Sequence, residues 1–209
     1  MPATGERRGG VGGHFGAPHD DNLRVIAGAF KGRRLVTPKG DRTRPTADQV
    51  RLALMDALTP WLPDARVLDL FAGAGGVGLE ALSRGAAHAT FVEKDPRAVT
   101  ALRQNIETLG VRDATRVLRA DANRELTHLH AEGARFHIVF LDPPYEAELV
   151  EPTLAQLGGG GLTEPGAVVV AQHLTKRAPS EMVGGLIGFR TRRFGETTLT
   201  FYRAARPAP

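Results

Sequence analysis

The sequence has no cysteine among its 209 residues. This absence excludes disulfides, thiolate metal ligands and cysteine nucleophiles. It also argues against enzymes that methylate carbon 5 of a pyrimidine, because these normally use a cysteine to activate the ring. Apolar runs fall short of the roughly 20 residues that a membrane span requires, and residues 1–22 lack the apolar core of a secretory signal. We therefore expect a cytoplasmic protein.

The composition is that of a soluble globular protein, with 42% hydrophobic and 24% charged residues. The length suits one domain with a modest appendage. The histidines form no metal-binding pattern, since His128 and His130 are two residues apart on a predicted helix and do not share a face. We expect no metal site. The oligomeric state is not fixed by the sequence, and we favour a monomer.

Positive charge is concentrated near the N-terminus. The net charge is +4, and residues 24–51 hold eight basic residues against two acidic ones, which gives this segment +6 and the remainder −2. A basic segment on a nearly neutral body is typical of a polyanion-binding appendage. The alternative is a charged hairpin that is merely solvated.

Three parts are predicted along the chain. Residues 1–22 are glycine-rich and expected to form a disordered tail, residues 23–60 form a basic hairpin and helix for RNA binding, and residues 61–209 form the larger domain. In the middle part, two short strands at 23–27 and 34–37 are expected to pair. A capping box at 46–49 predicts a helix that ends near Pro60.

The larger domain alternates apolar strands with helical segments. Strands are predicted near 66–71, 89–93, 115–120, 136–141 and 167–172, and helices near 76–84, 97–109, 123–132 and 146–157. Continuous apolar strands are typical of a parallel sheet that is covered on both faces, so we predict a doubly wound, Rossmann-like α/β fold. A flexible link at 158–161 precedes two further strands, 188–194 and 197–202. Their short turn predicts a hairpin that adds an antiparallel strand to the sheet.

A glycine-rich turn follows the first strand. Gly73, Gly75 and Gly78 fit G-x-G-x-x-G between a strand and a helix, as in dinucleotide-binding proteins. Asp69 ends that strand, where its charge would oppose a pyrophosphate at the helix N-terminus. A carboxylate at this place suits a cationic ligand, such as the ammonium and sulfonium groups of S-adenosylmethionine.

Two more acidic residues end the next two strands. Glu93 could bind both hydroxyls of a ribose, and Asp121 could accept a hydrogen bond from an adenine amino group. Because the carboxyl ends of parallel strands meet at one sheet edge, these acids would line one crevice with Asp69. Each of them could instead cap a helix.

The tetrapeptide Asp142-Pro143-Pro144-Tyr145 follows the fourth strand. An exocyclic amine of a base is a poor nucleophile because its lone pair is delocalised into the ring. Hydrogen bonds to the Asp142 carboxylate and the Pro143 carbonyl would direct that lone pair and stabilise the developing charge. Pro143 and Pro144 fix the backbone, and Tyr145 would stack on the base. Positioning supplies most of the acceleration, so Asp142 need not remove a proton before attack.

The order of these features resembles the amino-methyltransferase superfamily, which methylates exocyclic nitrogens of bases. Residues 23–28, 31–35, 44–51, 78–86 and 202–203 further resemble the bacterial 16S rRNA (guanine(966)-N2)-methyltransferase family. The resemblance covers residues 23–203. It implies a Rossmann-like class I methyltransferase that uses S-adenosyl-L-methionine, and a partner that is 16S ribosomal RNA or a small-subunit assembly intermediate.

The resemblance also assigns roles to residues of this sequence. The catalytic set is Asp142, Pro143, Pro144 and Tyr145. The cofactor set is Asp69, Phe71, Gly73, Gly75, Glu93, Lys94, Asp121 and Ala122. The candidate RNA contacts are Arg24, Lys31, Arg33, Arg34, Arg42 and Arg44.

Three other functions stay open at this point. An adenine-N6 methyltransferase acting on DNA or RNA shares the same tetrapeptide. A dinucleotide oxidoreductase is favoured only by the glycine pattern, and a non-catalytic RNA-binding module only by the basic segment. The small appendage favours RNA over a long DNA site, because it suits clamping phosphates around an accessible loop base.

Overall fold

A computed structural model describes residues 23–38, 45–145, 148–159 and 161–204 of the chain. The expectations for the tail at 1–22 and for Arg42 and Arg44 lie outside these residues, as do the predicted helix start at 146–147 and part of the link at 158–161. No helix in the described ranges is long and apolar enough to cross a membrane.

One sheet of eight strands organises the molecule, in the order β3-β2-β1-β4-β5-β8-β7-β6. The strands are β1 Arg66–Leu70, β2 His88–Glu93, β3 Thr115–Arg119, β4 Phe136–Leu141, β5 Thr163–Leu174, β6 Met182–Val183, β7 Leu186–Phe194 and β8 Thr197–Ala204. Strands β1 to β5 pair in parallel. Strand β8 is antiparallel to both β5 and β7. The predicted parallel sheet with a C-terminal antiparallel hairpin is confirmed.

Helices cover both faces of the sheet. They are α1 Pro45–Leu58, α2 Gly76–Ser83, α3 Pro96–Leu109, α4 Ala122–Ala131 and α5 Val150–Gly158. Buried side chains of α1, α2 and α3 form one apolar core with one face of the strands, and those of α4 and α5 form a second core on the other face. The sheet is therefore doubly wound, as its continuous apolar strands require.

Several boundaries differ from the sequence expectations. Helix α1 begins at Pro45, so Thr46 lies inside the helix and the proposed capping box is wrong. Helix α5 begins only at Val150 because Glu148 has a φ of 47°, a left-handed conformation that a helix cannot include. Strand β5 starts earlier than expected, at Thr163, although Pro165 and Gly166 read as breakers. Strand β6 was not expected.

The N-terminal hairpin forms, but with less strand than expected. Its pairing is a single bridge between Arg24 and Arg34. The turn is fixed to the end of α2, where the amide of Ala29 donates to the carbonyl of Ser83 at 2.8 Å. Only glycine fits at Gly28, because its φ is 84° and a Cβ would lie 1.9 Å from that carbonyl oxygen. The hairpin packs into the first core, and the division of the chain at residue 60 stays a prediction.

Candidate active site

The carboxyl ends of the parallel strands enclose a cavity of about 610 Å³. Its lining is Phe71, Val92, Glu93, Lys94, Ala120, Ala122, Asp142, Pro143, Pro144 and Tyr145. The whole predicted catalytic tetrapeptide thus lies beside four of the predicted cofactor residues, which come from the ends of β1 and β2 and the start of α4.

The glycine-rich turn brings the chain from β1 into α2 by a sharp left-handed path. Phe71, Gly73 and Gly75 all have positive φ, at 63°, 54° and 85°. A Cβ at Gly75 would lie 2.4 Å from Cδ1 of Leu102, so a side chain there would also collide with α3. Phe71 lines the cavity, and its left-handed backbone conformation carries strain on the order of 1–3 kcal/mol.

Asp69 is 2% exposed and lies beneath this turn. Its Oδ2 accepts a hydrogen bond from the amide of Gly78 at 2.9 Å, which ties the end of β1 to the first turn of α2. Burial raises the pKa of Asp69 to about 8, and the charges of Asp142 and Glu93 act in the same direction. A cation bound beside Asp69 would favour its charged form.

A second, smaller cavity of about 160 Å³ lies between Asp69 and the start of the Asp142–Tyr145 segment, which we call the reacting turn. Asp69, Asp142, Arg51 and Gln172 line it, and Phe71 and Asp142 line both cavities. Asp69 thus faces a compartment adjoining the large cavity. The two compartments meet at the carboxylate of Asp142.

Glu93 braces two backbone segments at the rim of the large cavity. Its Oε2 accepts from the amide of Gly73 at 2.8 Å, and its Oε1 accepts from the amide of Asp95 at 2.7 Å. Each carboxylate oxygen has a second lone pair, so both can still accept a hydrogen bond from a ligand. Lys94 follows it and lines the same cavity.

Asp121 occupies the N-cap of α4. Its Oδ1 accepts from the amide of Arg124 at 3.2 Å, as the helix-capping alternative expected, and it is not among the residues that line the large cavity. Its neighbours Ala120 and Ala122 do line that cavity. A cofactor contact by Asp121 stays a prediction.

Asp142 is held from the neighbouring strand. Nε2 of Gln172 donates to its Oδ2 at 3.0 Å, and burial raises the pKa of Asp142 to about 7. Tyr145 is 37% exposed, and its backbone carbonyl accepts from Nη1 of Arg177 at 3.1 Å. An exposed ring next to a half-buried carboxylate is the arrangement expected for binding a base by its face and its amino edge.

Three residues that the sequence reasoning missed complete this region. Gln172 is placed by the pairing of β4 with β5, and Arg177 is placed by the turn after β5. Neither residue belongs to a recognisable sequence motif. Arg51 belongs to the basic segment but is only 7% exposed. Its Nη2 donates to the carbonyl of Arg24 at 2.7 Å and to Asp48 at 2.9 Å, while its Nε has no hydrogen-bond partner among the described residues.

Two of the described RNA candidates, Lys31 and Arg33, lie away from the two cavities. Lys31 is in the hairpin turn, and Nη2 of Arg33 donates to the carbonyl of Thr108 near the end of α3. The ends of α2 and α3 lie at the amino edge of the sheet, so the turn is about 12 Å or more, the length of α2, from the glycine-rich turn. Arg24 and Arg34 are exposed at the bridge.

No group of three or more His, Asp or Glu side chains within the described ranges could hold a metal ion. The groups that line the two cavities include carboxylates and an aromatic ring.

Comparison with known proteins places the chain in a family. Residues 23–203 match the family model described as Conserved hypothetical protein 95. The chain is 36% identical over 181 residues to YlbH of Bacillus subtilis (strain 168), covering 87% of this chain and 98% of that protein. It is 36% identical over 178 residues to Ribosomal RNA small subunit methyltransferase D of Escherichia coli (strain K12), covering 80% of this chain and 88% of that protein.

Among solved structures, the Escherichia coli protein yhhF is similar with a TM-score of 0.78 and 34% identity, covering 89% of this chain and 99% of that one. These matches confirm the expected resemblance and the methyltransferase fold. The chain belongs to the Conserved hypothetical protein 95 family.

Proposed function

We propose that this protein transfers the methyl group of S-adenosylmethionine to the exocyclic N2 of a guanine in 16S ribosomal RNA, and that this nucleotide is guanine 966. At the coarser level, membership in the family and the full-length relationship to a small-subunit rRNA methyltransferase make the chain an S-adenosylmethionine-dependent methyltransferase of ribosomal RNA. The observation that carries the proposal is the half-buried carboxylate of Asp142 at the junction of the two cavities.

The residues around the smaller cavity suit the amino-acid end of this cofactor. Asp69 would take the ammonium group, and Arg51, whose Nε has no partner among the described residues, would take the carboxylate. A buried acid and a buried base lining one compartment match a zwitterion and match a pyrophosphate poorly. This disfavours the dinucleotide oxidoreductase alternative.

The larger cavity suits the nucleoside end. Glu93 would bind the ribose hydroxyls through the second lone pairs of its oxygens, and Phe71, Val92 and Ala122 offer apolar surface for a flat ring. When bound, the cofactor supplies a methyl group on a positively charged sulfur. Everything else in the reaction is done by groups of the chain.

Asp142 and Pro143 are the acceptors that would orient the amine of the base. Oδ2 of Asp142 is occupied by Gln172, and no described residue donates to Oδ1, so this oxygen can accept a hydrogen bond from the incoming amino group. The carbonyl of Pro143 would accept the second N–H. In the transfer the amine nitrogen would gain the methyl carbon as the sulfur–carbon bond breaks. Asp142 would then accept the extra proton from nitrogen, and its pKa of about 7 suits that role.

The RNA contacts of the basic front segment remain part of this proposal for Arg24 and Arg34, and for Arg42 and Arg44 outside the described residues. The placement of Lys31 and Arg33 at the amino edge of the sheet supports a contact with a more distant part of the RNA. An activity on ribosomal RNA would be exercised in the cytoplasm, on free RNA or on an assembling subunit.

The test is methylation in vitro of free 16S ribosomal RNA and of small subunits isolated from cells without this enzyme, using labelled S-adenosylmethionine and nucleoside analysis. We expect N2-methylguanosine at a single site, and none with Asp142→Ala, which should still bind the cofactor. Recovery of N6-methyladenosine would favour the adenine alternative, and transfer to neither substrate would contradict the proposal.

A further inference from the structure

A second basic region lies at the other end of the sequence. Residues 173–204 hold six basic residues against Glu181 and Glu196, a net charge of +4. Residues 52–172, which contain both cavities, hold 10 basic and 16 acidic residues, a net charge of −6. The C-terminal excess is therefore a local feature of the antiparallel part of the sheet and of the turn before it.

Four of these residues lie at the carboxyl edge of the sheet, and we call them the rim cluster: Lys176, Arg177, Arg192 and Arg193. Strand β7 is antiparallel to β8, which is antiparallel to β5, so β7 runs in the direction of the parallel strands. Its last residues therefore reach the same edge as Asp142. Lys176 and Arg177 follow the end of β5 in a short 3₁₀ turn at that edge.

Arg192 is in register with Gln172, the residue that donates a hydrogen bond to Asp142. It lies opposite Leu199 on β8, and Leu199 lies opposite Gln172 on β5. Side chains directly opposite one another share a face of the sheet, so Arg192 and Gln172 lie two strand spacings apart on one face, about 10 Å. The guanidinium of Arg192 donates to the carbonyl of Ala53 at 3.4 Å, which fixes it between β7 and α1.

Arg177 contacts the reacting turn itself. Its side chain is 51% exposed, and it lies 3.6 Å from the carboxylate of Glu148 while it donates to the carbonyl of Tyr145. Arg177, Tyr145 and His173 line a further cavity of about 450 Å³ on the outer side of the tetrapeptide. A chain that leaves the catalytic pocket on this side would pass the guanidinium.

Lys176 and Arg193 are two further exposed members of the cluster. Together with Gly195 and Glu196 they line a shallow depression of about 240 Å³, and neither has an ion pair or hydrogen bond within the described part of the chain. Glu196 is the acidic residue of this depression, so two cations face one anion. The depression keeps a net positive charge that the fold does not use.

We infer that the rim cluster binds the phosphates that flank the target guanine. The inference rests on the proposed function, because a base that is splayed from its stack into the pocket brings its flanking backbone to the pocket mouth. Cations at that mouth would neutralise those phosphates. Lys31 and Arg33 lie at the opposite edge of the sheet, so the RNA would be held at two separate places.

The test compares two double variants that remove the same charge. The rim variant, Lys176→Ala/Arg193→Ala, removes two exposed cations of the rim cluster. The far-edge variant, Arg103→Ala/Arg112→Ala, removes two exposed cations from α3 and from the turn before β3, the outermost strand of the sheet on the side away from β7. Binding to 16S ribosomal RNA is measured as a function of salt concentration. Calorimetry with S-adenosylmethionine and methyl transfer by the wild-type protein are measured on the same preparations.

For the rim variant we expect the slope of log K against log salt to fall in magnitude by about 1.4 to 1.8, since each phosphate contact contributes about 0.7 to 0.9. If the two lines meet at 1 M salt, binding at 0.15 M salt weakens about 15- to 30-fold. Cofactor affinity should not change, and the far-edge variant should bind RNA with the wild-type slope.

An unchanged slope for the rim variant, or an equal fall for both variants, overturns the inference. These outcomes are distinct from a failure of the proposed function. That failure would be a wild-type protein that binds RNA and transfers no methyl group, whatever the slopes of the variants.

Discussion

The amide of Gln172 holds the carboxylate of Asp142 across the pairing of β4 and β5, with 3.0 Å between Nε2 and Oδ2. Leu141 lies opposite Ala171 in that pairing, so the next residue on each strand is the one that takes part in the hydrogen bond. One carboxylate oxygen is thus fixed by the sheet itself. Because the carboxylate is planar, the same hydrogen bond also restricts the direction of Oδ1.

Gln172→Leu should lower kcat about 10-fold or more with little change in cofactor affinity, because a hydrogen bond to a charged group contributes about 1.5–3 kcal/mol. Losing the donor should also raise the pKa of Asp142 further, so that the pH profile of the reaction moves to higher pH. Steady-state kinetics from pH 6 to 9 measure both effects.

Gln156→Leu is the matched control. The amide of Gln156 donates to the carbonyl of Asn123 at 2.8 Å between α5 and α4, away from the reacting turn. The same substitution there should leave the pH profile unchanged. A loss of kcat without any pH shift in Gln172→Leu would mean that the amide only packs against Asp142.

How far the sequence predicts the site depends on the kind of signal that each residue carries. Asp69, Glu93 and Asp142 end continuous apolar strands, so their common edge follows from the parallel arrangement alone. Gln172 and Arg51 carry no such signal. Gln172 depends on the register of β5, and Arg51 depends on how α1 packs, which turns a residue of a basic run into a buried one.

The fold boundaries fail for similar physical reasons. The capping motif at Thr46 is outweighed by a helix that starts with Pro45. Proline suits the first helical turn because it lacks the backbone N–H, which would have no partner at that position. Pro165 and Gly166 look like breakers, yet β5 absorbs them through an irregular register beside Phe136. Tertiary pairing decides both cases against the local preference.

The rate of methyl transfer should rise with pH through about 7. Asp142 accepts hydrogen bonds from the amine only when it is ionised, and burial raises its pKa to about 7, so the protonated form dominates below that pH. The measurement is kcat/KM for RNA at saturating cofactor between pH 5.5 and 9. Asp142→Asn keeps an acceptor oxygen but no charge, and it should lower the rate about 10²- to 10³-fold and flatten the profile.

The cofactor-free protein should lose stability as the pH rises from about 4 to about 8. The folded-state pKa values of Asp142 and Asp69 are about 7 and about 8, above their ordinary value of 3.8, so the folded state holds two protons that the unfolded state has released. The unfolded state binds fewer protons in this window, and the free energy of unfolding therefore falls with increasing pH.

Urea denaturation at pH 5 and pH 8 measures this dependence, and Asp69→Asn/Asp142→Asn should reduce it. S-adenosylmethionine should oppose the loss at pH 8, since its ammonium group favours the ionised form of Asp69. A double variant with the pH dependence of the wild-type protein would contradict the assignment to these two carboxyls.

The contact between Gly78 and Phe91 should set the position of α2 and, through it, of Asp69. A Cβ at Gly78 would lie 2.3 Å from Cε1 of Phe91, so Gly78→Ala must push the helix away from the sheet. Overpacking of this kind costs about 1–3 kcal/mol in the free energy of unfolding. The displacement would also lengthen the hydrogen bond from the Gly78 amide to Asp69, so cofactor affinity should fall as well.

Phe91→Leu tests this coupling because leucine has no atom at the position of Cε1. In that background Gly78→Ala should cost less stability than in the wild-type protein, with an interaction energy of about 1 kcal/mol or more in a double-mutant cycle. Chemical denaturation and calorimetry with S-adenosylmethionine supply the two readouts. Strictly additive effects on stability would mean that α2 does not depend on this contact, and that the glycine is needed for some other property of the turn.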